Sequence, residues 1–315
     1  MDINFVKSNL DDLKDLIDEA PMGREDDIQK VVDLLQGNHQ IVAIEGVGGI
    51  GKTTLAYSVA RRFEQDGNFF AIIWLTAKDN WLNPYKNEVL KISPSLVDMK
   101  EVYREIVKVI NPNSAFLNDS EILKIEVGKY LSENNCLLIL DNFEAISDER
   151  VRKFLTSLPS STKVLLTSRE KTFFTSQTVI LPALSPQIAK KLFIRDLNKH
   201  QIPVPGKDIV NEICEKVGYL PLAIKWIVGQ LWLDEKEITQ VFLNITDSPN
   251  NILRFCFESS ILLLDAKAKR ILFSLSSFIT SASREALISI SRIDSGFSES
   301  INQLVRTYLV QKAGN

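Results

Sequence analysis

The chain has 315 residues, of which 45% are hydrophobic and 24% are charged, as is usual for a globular protein with room for two or three domains. Its 37 basic residues nearly balance 40 acidic ones, so no overall charge draws it toward nucleic acid or an anionic membrane. No run approaches the ~18 apolar residues of a membrane-spanning helix, and the first residues lack the pattern of a signal peptide. We therefore expect a soluble, cytoplasmic protein.

The N-terminal residues are predicted to be helical. Apolar residues between 5 and 19 recur on one face with acids between them, which indicates a short amphipathic helix. This helix would be a leader or a linker over residues 1–20. The segment 21–24 breaks the pattern, and a second helix is expected from about 25 to 36, closed by Gly37.

Five apolar runs then alternate with helical stretches as far as residue 181. The runs cover residues 41–45, 71–76, 136–140, 163–167 and 178–181. Because they lack polar alternation, they suit strands that are covered on both faces. Helices between them, at about 52–65, 98–110 and 120–134, predict a parallel α/β sheet with helices on both faces, and we assign this domain to residues 21–182.

The remainder of the chain is predicted to be largely helical. Ser185 and Pro186 have the pattern of a helix start, which opens a small helical domain over residues 183–248. Its helices are expected at 186–199, 207–217, 221–233 and 236–245. A third domain is expected over residues 249–315, with helices at 251–263, 265–278, 284–291 and 297–307. A possible strand follows at 308–312, and we expect this third domain to be incomplete.

Cysteine and histidine offer little chemistry. Cys136, Cys214 and Cys256 each lie within an apolar segment, and their spacing fits no metal-binding or redox pattern. We expect three reduced thiols in the core. With only two histidines in the chain, a histidine-based metal site is not expected.

The first functional motif is GVGGIGKTT at residues 46–54, a complete Walker A pattern between a predicted strand and a predicted helix. Glycines let the backbone turn so that several N–H groups point at one phosphate chain, and the following helix adds its positive end. Lysine can reach the β- and γ-phosphates, and the threonine hydroxyl can bind Mg²⁺. The predicted nucleotide-binding residues are Gly46, Gly48, Gly49, Ile50, Gly51, Lys52, Thr53 and Thr54.

Two later runs are predicted to meet the same phosphates. The run CLLILD at 136–141 has the Walker B form, and it brings Asp141 to the carboxyl end of a buried strand. We expect Asp141 to bind Mg²⁺ together with Thr53. The run KVLLTSR at 163–169 also ends in polar residues, of which Thr167 or Arg169 could sense the γ-phosphate.

The order of these motifs resembles the NB-ARC members of the STAND class of signal-transduction ATPases, from about residue 21 onward. It rests on MGR at 22–24, GVGGIGKTTLA at 46–56, LLILDNFE at 137–144, KVLLTSR at 163–169, LPALSPQIAKKLF at 181–193 and GYLPLAI at 218–224. The last run is the most selective of them. The resemblance implies that Met22, Gly23 and Arg24 lie near adenine and ribose, that Arg169 contacts the γ-phosphate and that Pro221 packs against the nucleotide. It also implies a winged-helix domain from about residue 250.

Two departures from the family pattern bear on catalysis. The family often has a second acid after the Walker B aspartate, where this chain has Asn142, an amide that can position water but cannot accept its proton. Glu144 is the nearest carboxylate and could accept that proton instead. The chain also ends before the histidine-containing motif that usually closes the family's winged helix over ADP.

These features favour a regulatory switch over two alternatives. In the switch, ADP keeps a monomer off and ATP favours a self-associating form, with Lys52, Asp141, Asn142, Glu144 and Arg169 supporting slow hydrolysis as a reset. Sensor and effector domains, and a prokaryotic defence or regulatory pathway, are expected. The alternatives are a turnover ATPase that remodels a partner and a winged-helix DNA-binding regulator. The candidate recognition helix, 297–307, is not basic, so nucleic acid is not the expected partner.

Overall fold

Six parallel strands form the central sheet. The computed structural model describes residues 6–14, 17, 21–77, 80–83, 88–91, 98–114, 119–146, 148–233, 261, 264–275, 278, 282–306 and 309–310. Its strands are β1 (Lys7–Ser8), β2 (Ile41–Glu45), β3 (Ala71–Thr76), β4 (Asn80–Asn83), β5 (Glu88–Lys91), β6 (Cys136–Asp141), β7 (Lys163–Ser168) and β8 (Gln177–Ile180). The sheet order is β1-β3-β6-β7-β2-β8, and β4 and β5 pair separately as an antiparallel hairpin.

Helices follow the strands in the order that the sequence predicts. Their bounds are α1 (Glu25–Gln36), α2 (Lys52–Asp66), α3 (Met99–Ile110), α4 (Ser120–Glu133), α5 (Glu149–Thr156), α6 (Pro186–Lys199), α7 (Lys207–Lys216), α8 (Pro221–Leu233), α9 (Ala266–Leu275), α10 (Arg284–Ser291) and α11 (Phe297–Arg306). These elements confirm the predicted α/β class, although α5 and the β4–β5 hairpin were not predicted. The helix predicted at 236–245, most of that at 251–263 and most of the strand at 308–312 lie outside the described residues.

The core has one layer on each face of the sheet. Along β2, Val42 and Ile44 pack on the face that α1 and α2 cover, whereas Ile41 and Ala43 pack on the face of α3, α4 and α5. Both faces are therefore apolar, which explains why the strands read as unbroken apolar runs. None of the helices that the structure describes is both long and apolar enough to cross a membrane.

The predicted helical domain shares a core with the sheet. Buried residues of α6, α7 and α8, such as Phe193, Ile213 and Ile227, belong to the same apolar cluster as Val42 and Ile44. The boundary between residues 182 and 183 stays a prediction. Helices α9, α10 and α11 surround a separate small cluster that includes Ile271, Leu287 and Leu304, and the winged-helix assignment of this segment also stays a prediction.

The predicted N-terminal amphipathic helix is wrong over the residues that the structure describes. Lys7 and Ser8 form a strand parallel to β3, and Leu10–Leu13 form a single 3₁₀ turn. Between them the Asn9 amide donates to the Trp74 carbonyl at 2.9 Å and accepts from its N–H at 2.8 Å. Strand β3 would otherwise be an edge with unpaired backbone groups, and satisfying them outweighs the weak helical preference of this segment.

Leu10 gives a test of this correction, because its side chain has no solvent exposure. We expect Leu10→Ala to lower the free energy of unfolding by about 2–5 kcal/mol, as for other buried leucines. Urea denaturation followed by circular dichroism measures the change. Asp12→Ala, at an exposed position of the same turn, is the control. A loss under about 0.5 kcal/mol for Leu10→Ala, typical of a surface site, would contradict the packing.

Two of the cysteines are buried as predicted, Cys136 in β6 and Cys214 in α7. Burial raises the pKa of the Cys136 thiol to about 12 and that of Cys214 to about 11. Because an unfolded thiol has a pKa of about 8.5, the protonated thiols favour the folded state below that pH, and this contribution is lost as the pH rises through the folded-state values.

This predicts unreactive thiols in the folded protein, since only thiolates attack Ellman's reagent. At pH 8, a Cys256→Ser variant, whose substituted residue lies outside the described part, should release no colour until urea is added. Both remaining thiols should then react within the mixing time. Rapid reaction of either thiol in native buffer would show that its segment opens readily.

Candidate nucleotide-binding site

The phosphate loop joins the end of β2 to the start of α2, between the neighbouring strands β7 and β8. Gly46 begins the loop at φ +150°, and its N–H donates to the Ser168 carbonyl at 3.3 Å. A Cβ at Gly46 would lie 3.0 Å from the Leu181 carbonyl oxygen. Gly49 and Gly51 also have positive φ, at 75° and 102°. The loop therefore has a shape that side chains at these three positions would strain.

The N-terminus of α2 faces the loop without a side-chain cap. Gly51 is the N-cap residue, and it has no side chain that could accept from the first amides of the helix. Such amides, together with the helix dipole, favour an anion. A Cβ built at Gly51 would meet no atom within 4 Å, so there is open space at the helix start. These features fit a phosphate group.

Lys52, the first residue of α2, is nearly buried and lies across the loop. Its Nζ donates to the carbonyls of Gly46 at 2.8 Å and Val47 at 2.9 Å. A buried ammonium needs such partners, because desolvation is costly. The side chain thus supports the loop and carries a positive charge at the position where phosphates would bind.

Asp141 ends β6 and has no solvent exposure. Its Oδ1 accepts hydrogen bonds from the hydroxyls of Thr53 at 2.7 Å and Thr167 at 2.6 Å. Thr76 Oγ1 lies 3.4 Å from Oδ2. The structure therefore brings the two predicted Mg²⁺ ligands, Thr53 and Asp141, into contact. It also directs the Thr167 hydroxyl to Asp141, which leaves Arg169 as the better of the two candidates for a γ-phosphate contact.

The donor set suits Mg²⁺ bound with a nucleotide. Within the described ranges, no cluster of three or more His, Cys, Asp or Glu side chains could hold a metal by itself. Mg²⁺ is commonly held by one or two protein oxygens, several waters and the phosphates of its substrate. Thr53 and Asp141 fit that pattern, and they would hold the ion at the end of the loop nearest β6.

Asn142 and Glu144 follow β6 in a tight reversal. Asn142 has φ +64°, and its N–H donates to Thr167 Oγ1 at 3.0 Å. Glu144 lies in the 3₁₀ turn Phe143–Ala145, where Oε1 is 3.3 Å from Nε of Arg169. The sequence predicts Glu144 as a proton acceptor and Arg169 as a γ-phosphate contact, but no sequence pattern indicates that the two side chains form an ion pair.

The segment before α1 is held by steric fit and by Arg24. Gly23 has φ +68°, and a Cβ there would come within 2.8 Å of the Ile188 side chain. The buried Arg24 guanidinium contacts Asp27 at 3.1 Å and donates to the Pro182 carbonyl at 2.6 Å. It therefore ties the start of α1 to the chain beyond β8. The roles of Met22, Gly23 and Arg24 at adenine and ribose stay predictions.

Helix α8 touches the phosphate loop. It begins at Pro221, and the next amide, of Leu222, donates to the Gly49 carbonyl at 3.3 Å. Met22, Val47 and Leu222 pack against one apolar cluster, to which Ile50 also belongs. The structure thus brings the predicted residues of the loop and of the helical segment together. Gly48 lies in the same loop, and Thr54 lies in the first turn of α2.

One site residue was missed from the sequence. Glu45, directly before the loop, is nearly buried, and its Oε1 accepts from the Thr172 N–H at 2.7 Å and the Thr172 hydroxyl at 2.6 Å. It fixes the connection between β7 and β8 to the base of the loop. The available signal was an acid at the end of a fully apolar strand, which is rarely buried without a partner.

Asp141→Asn tests the Mg²⁺ assignment. The amide oxygen can still accept from Thr53 and Thr167, but the negative charge is lost. We expect the affinity for ATP with Mg²⁺ to fall by about 10–100-fold, and the affinity in EDTA to change little. Isothermal titration calorimetry measures both, with Asp119→Asn, which retains the N-cap of α4, as the control. An equal loss in EDTA would mean that Asp141 acts only on the fold.

Comparisons with known proteins identify the family. The NB-ARC domain model matches residues 24–188, which is more than half of the chain. Disease resistance protein RPP8 of Arabidopsis thaliana is 25% identical over 279 residues, covering 75% of this chain and 29% of its own length. Transcription activator GutR of Bacillus subtilis is 29% identical over 153 residues, covering 47% of this chain and 17% of its own. The chain thus spans under a third of these relatives.

A solved structure shares the fold. The Walker-type ATPase of Pyrococcus abyssi superposes with a TM-score of 0.54 at 13% identity, and the match covers 91% of each chain. This likeness shows the fold alone, whereas the family model covers the phosphate loop, both predicted Mg²⁺ ligands and Arg169. The chain therefore belongs to the NB-ARC family of STAND-class P-loop ATPases.

Proposed function

We propose that the chain is an ATP/ADP-binding signalling switch, in which ADP keeps a monomer off and ATP favours a self-associating on state. The observation that carries the proposal is the hydrogen bond from the Leu222 N–H to the Gly49 carbonyl. It joins the start of α8 directly to the phosphate loop. A nucleotide that changes this loop therefore acts on the helical segment as well as on the sheet.

A switch needs groups that distinguish the two nucleotides, because a ligand shifts an equilibrium only by its differential affinity for the two states. Lys52 and the N-terminus of α2 would bind the phosphates that ADP and ATP share. Thr53 and Asp141 would hold Mg²⁺. Arg169, directly after β7, is the group proposed to contact the γ-phosphate, and it supplies the difference.

We propose that hydrolysis is slow and resets the switch. Rapid hydrolysis needs a group that accepts a proton from the attacking water. Asn142 is an amide, and the Glu144 carboxylate is buried against Arg169. Neither is arranged as an efficient base, so the chain acts as a slow ATPase at most.

The relatives suggest the setting. Several are named as disease resistance proteins, and another is a protein of Bacillus subtilis, which together support a role in a prokaryotic defence or regulatory pathway. The partners proposed are an adenine nucleotide, a second copy of the chain in the ATP state, and sensor and effector domains. The proposed compartment is the cytoplasm.

A transcriptional regulator is the second candidate, because the Bacillus subtilis relative is named as a transcription activator. Reading a DNA groove would require a basic recognition helix. The candidate helix, α11, carries one arginine and one glutamate, so its own charge is balanced. The switch is therefore the better supported function.

The nucleotide that copurifies with the protein tests the proposal. Denaturing the purified protein and separating the released nucleotide by chromatography should yield close to one ADP per chain. Lys52→Ala should abolish this, because the phosphates lose their nearest ammonium, whereas Lys124→Ala, on the exposed side of α4, should retain it. If the purified protein contains no nucleotide and hydrolyses ATP at the ordinary enzymatic rate of about 10 s⁻¹, the result would favour the turnover ATPase and contradict the switch.

A further inference from the structure

Glu144 and Arg169 form a buried ion pair beside the phosphate loop. The side chains of Glu144 and Arg169 are 5% and 16% exposed, and Oε1 of Glu144 lies 3.3 Å from Nε of Arg169. Arg169 directly follows Ser168, whose carbonyl accepts from the first amide of the loop, at Gly46. The pair is therefore at the carboxyl edge of the sheet, adjacent to the residues that fit a phosphate chain.

The pair is only partly satisfied. Nη1 of Arg169 and Oε2 of Glu144 are both buried, and neither has a hydrogen-bond partner among the residues that the structure describes. A guanidinium and a carboxylate in their best arrangement make two parallel bonds of about 2.7–2.9 Å. Here the Oε1–Nε contact is longer, at 3.3 Å, and neither Oε2 nor Nη1 takes part in a second bond, so Arg169 can exchange this partner for an anion with better geometry.

We propose that Glu144 is a positioning residue that restrains Arg169 and thereby biases the site toward ADP over ATP. The inference rests on the proposed function and names the regulation of the same site. When ADP is bound, Glu144 compensates the charge of Arg169. When ATP is bound, the γ-phosphate must compete with Glu144 for the guanidinium. This competition weakens the binding of ATP and leaves the binding of ADP unchanged.

The pair also bears on the other role open to Glu144, that of general base. A base must reach a water molecule at the γ-phosphate, and it must be able to accept a proton there. The Glu144 carboxylate instead lies buried against a guanidinium on the neighbouring strand end. The two roles predict different results for the same substitution, because a restraint affects which nucleotide binds and a base affects how fast it is hydrolysed.

Glu144→Gln separates them, since it keeps the shape of the side chain and removes the charge. Isothermal titration calorimetry gives the affinities for ADP and for a non-hydrolysable ATP analogue, both with Mg²⁺. We expect the ratio of ATP-analogue to ADP affinity to rise about tenfold, within the usual range for coupled groups. The ADP affinity itself should stay within about twofold, which also reports an intact fold.

The same substitution in an Arg169→Ala background tests whether Glu144 acts through Arg169. If it does, the double variant has the affinity ratio of Arg169→Ala alone, because there is no guanidinium left to restrain. Glu149→Gln, at an exposed position on α5, is the matched control and should leave the ratio unchanged.

Three results would overturn the inference. An unchanged affinity ratio with hydrolysis reduced by about 100-fold or more would make Glu144 the general base. An unchanged ratio with unchanged hydrolysis would reduce the pair to a structural contact. Wild-type protein that binds neither nucleotide would remove the proposed function and the inference together, whereas the first two results remove the inference alone.

Discussion

The side chain of Asp141 is fully buried, so its oxygens must find hydrogen-bond donors within the protein. Two threonines supply them to the same oxygen, Thr53 from the helix after the phosphate loop and Thr167 from β7. The loop, β6 and β7 are thereby fixed to one atom. Lys52 precedes one of these threonines and Arg169 follows the other by two residues. The relative positions of both basic groups depend on this shared carboxylate oxygen.

The sheet could be predicted because it is covered on both faces. A strand such as β2 is buried along its whole length and shows no polar alternation, which is typical of a strand between two layers of helices. The phosphate loop could be predicted because its glycines have backbone angles that few other residues adopt. In both cases the structural requirement, burial on both faces for the strands and positive φ angles for the loop, restricts which residues can occur locally, so it is visible in the sequence.

The features that could not be predicted from the sequence depend on contacts between segments that are distant along the chain. The N-terminal segment has helical periodicity, but the open edge of β3 was satisfied by Lys7, Ser8 and Asn9. The Glu144–Arg169 pair arises because Asn142 turns the chain at φ +64° after β6, and no sequence pattern links that turn to the end of β7. The predicted role of Arg24 was drawn from family resemblance, which does not reveal that its guanidinium also binds Asp27 and the Pro182 carbonyl.

Asn9 has a consequence for handling the protein. Its side-chain amide pairs with both backbone groups of Trp74, so a side chain takes the place of a neighbouring strand there. Strand β1, which forms the outer edge beside β3, is only two residues long. An edge that short offers little template for another chain. A shortened version that begins at Pro21 would instead make β3, with the sequence AIIWLT, the edge strand of the sheet, paired only with β6. Such a strand is prone to cross-β aggregation, so solubility after truncation depends on residues remote from the nucleotide site.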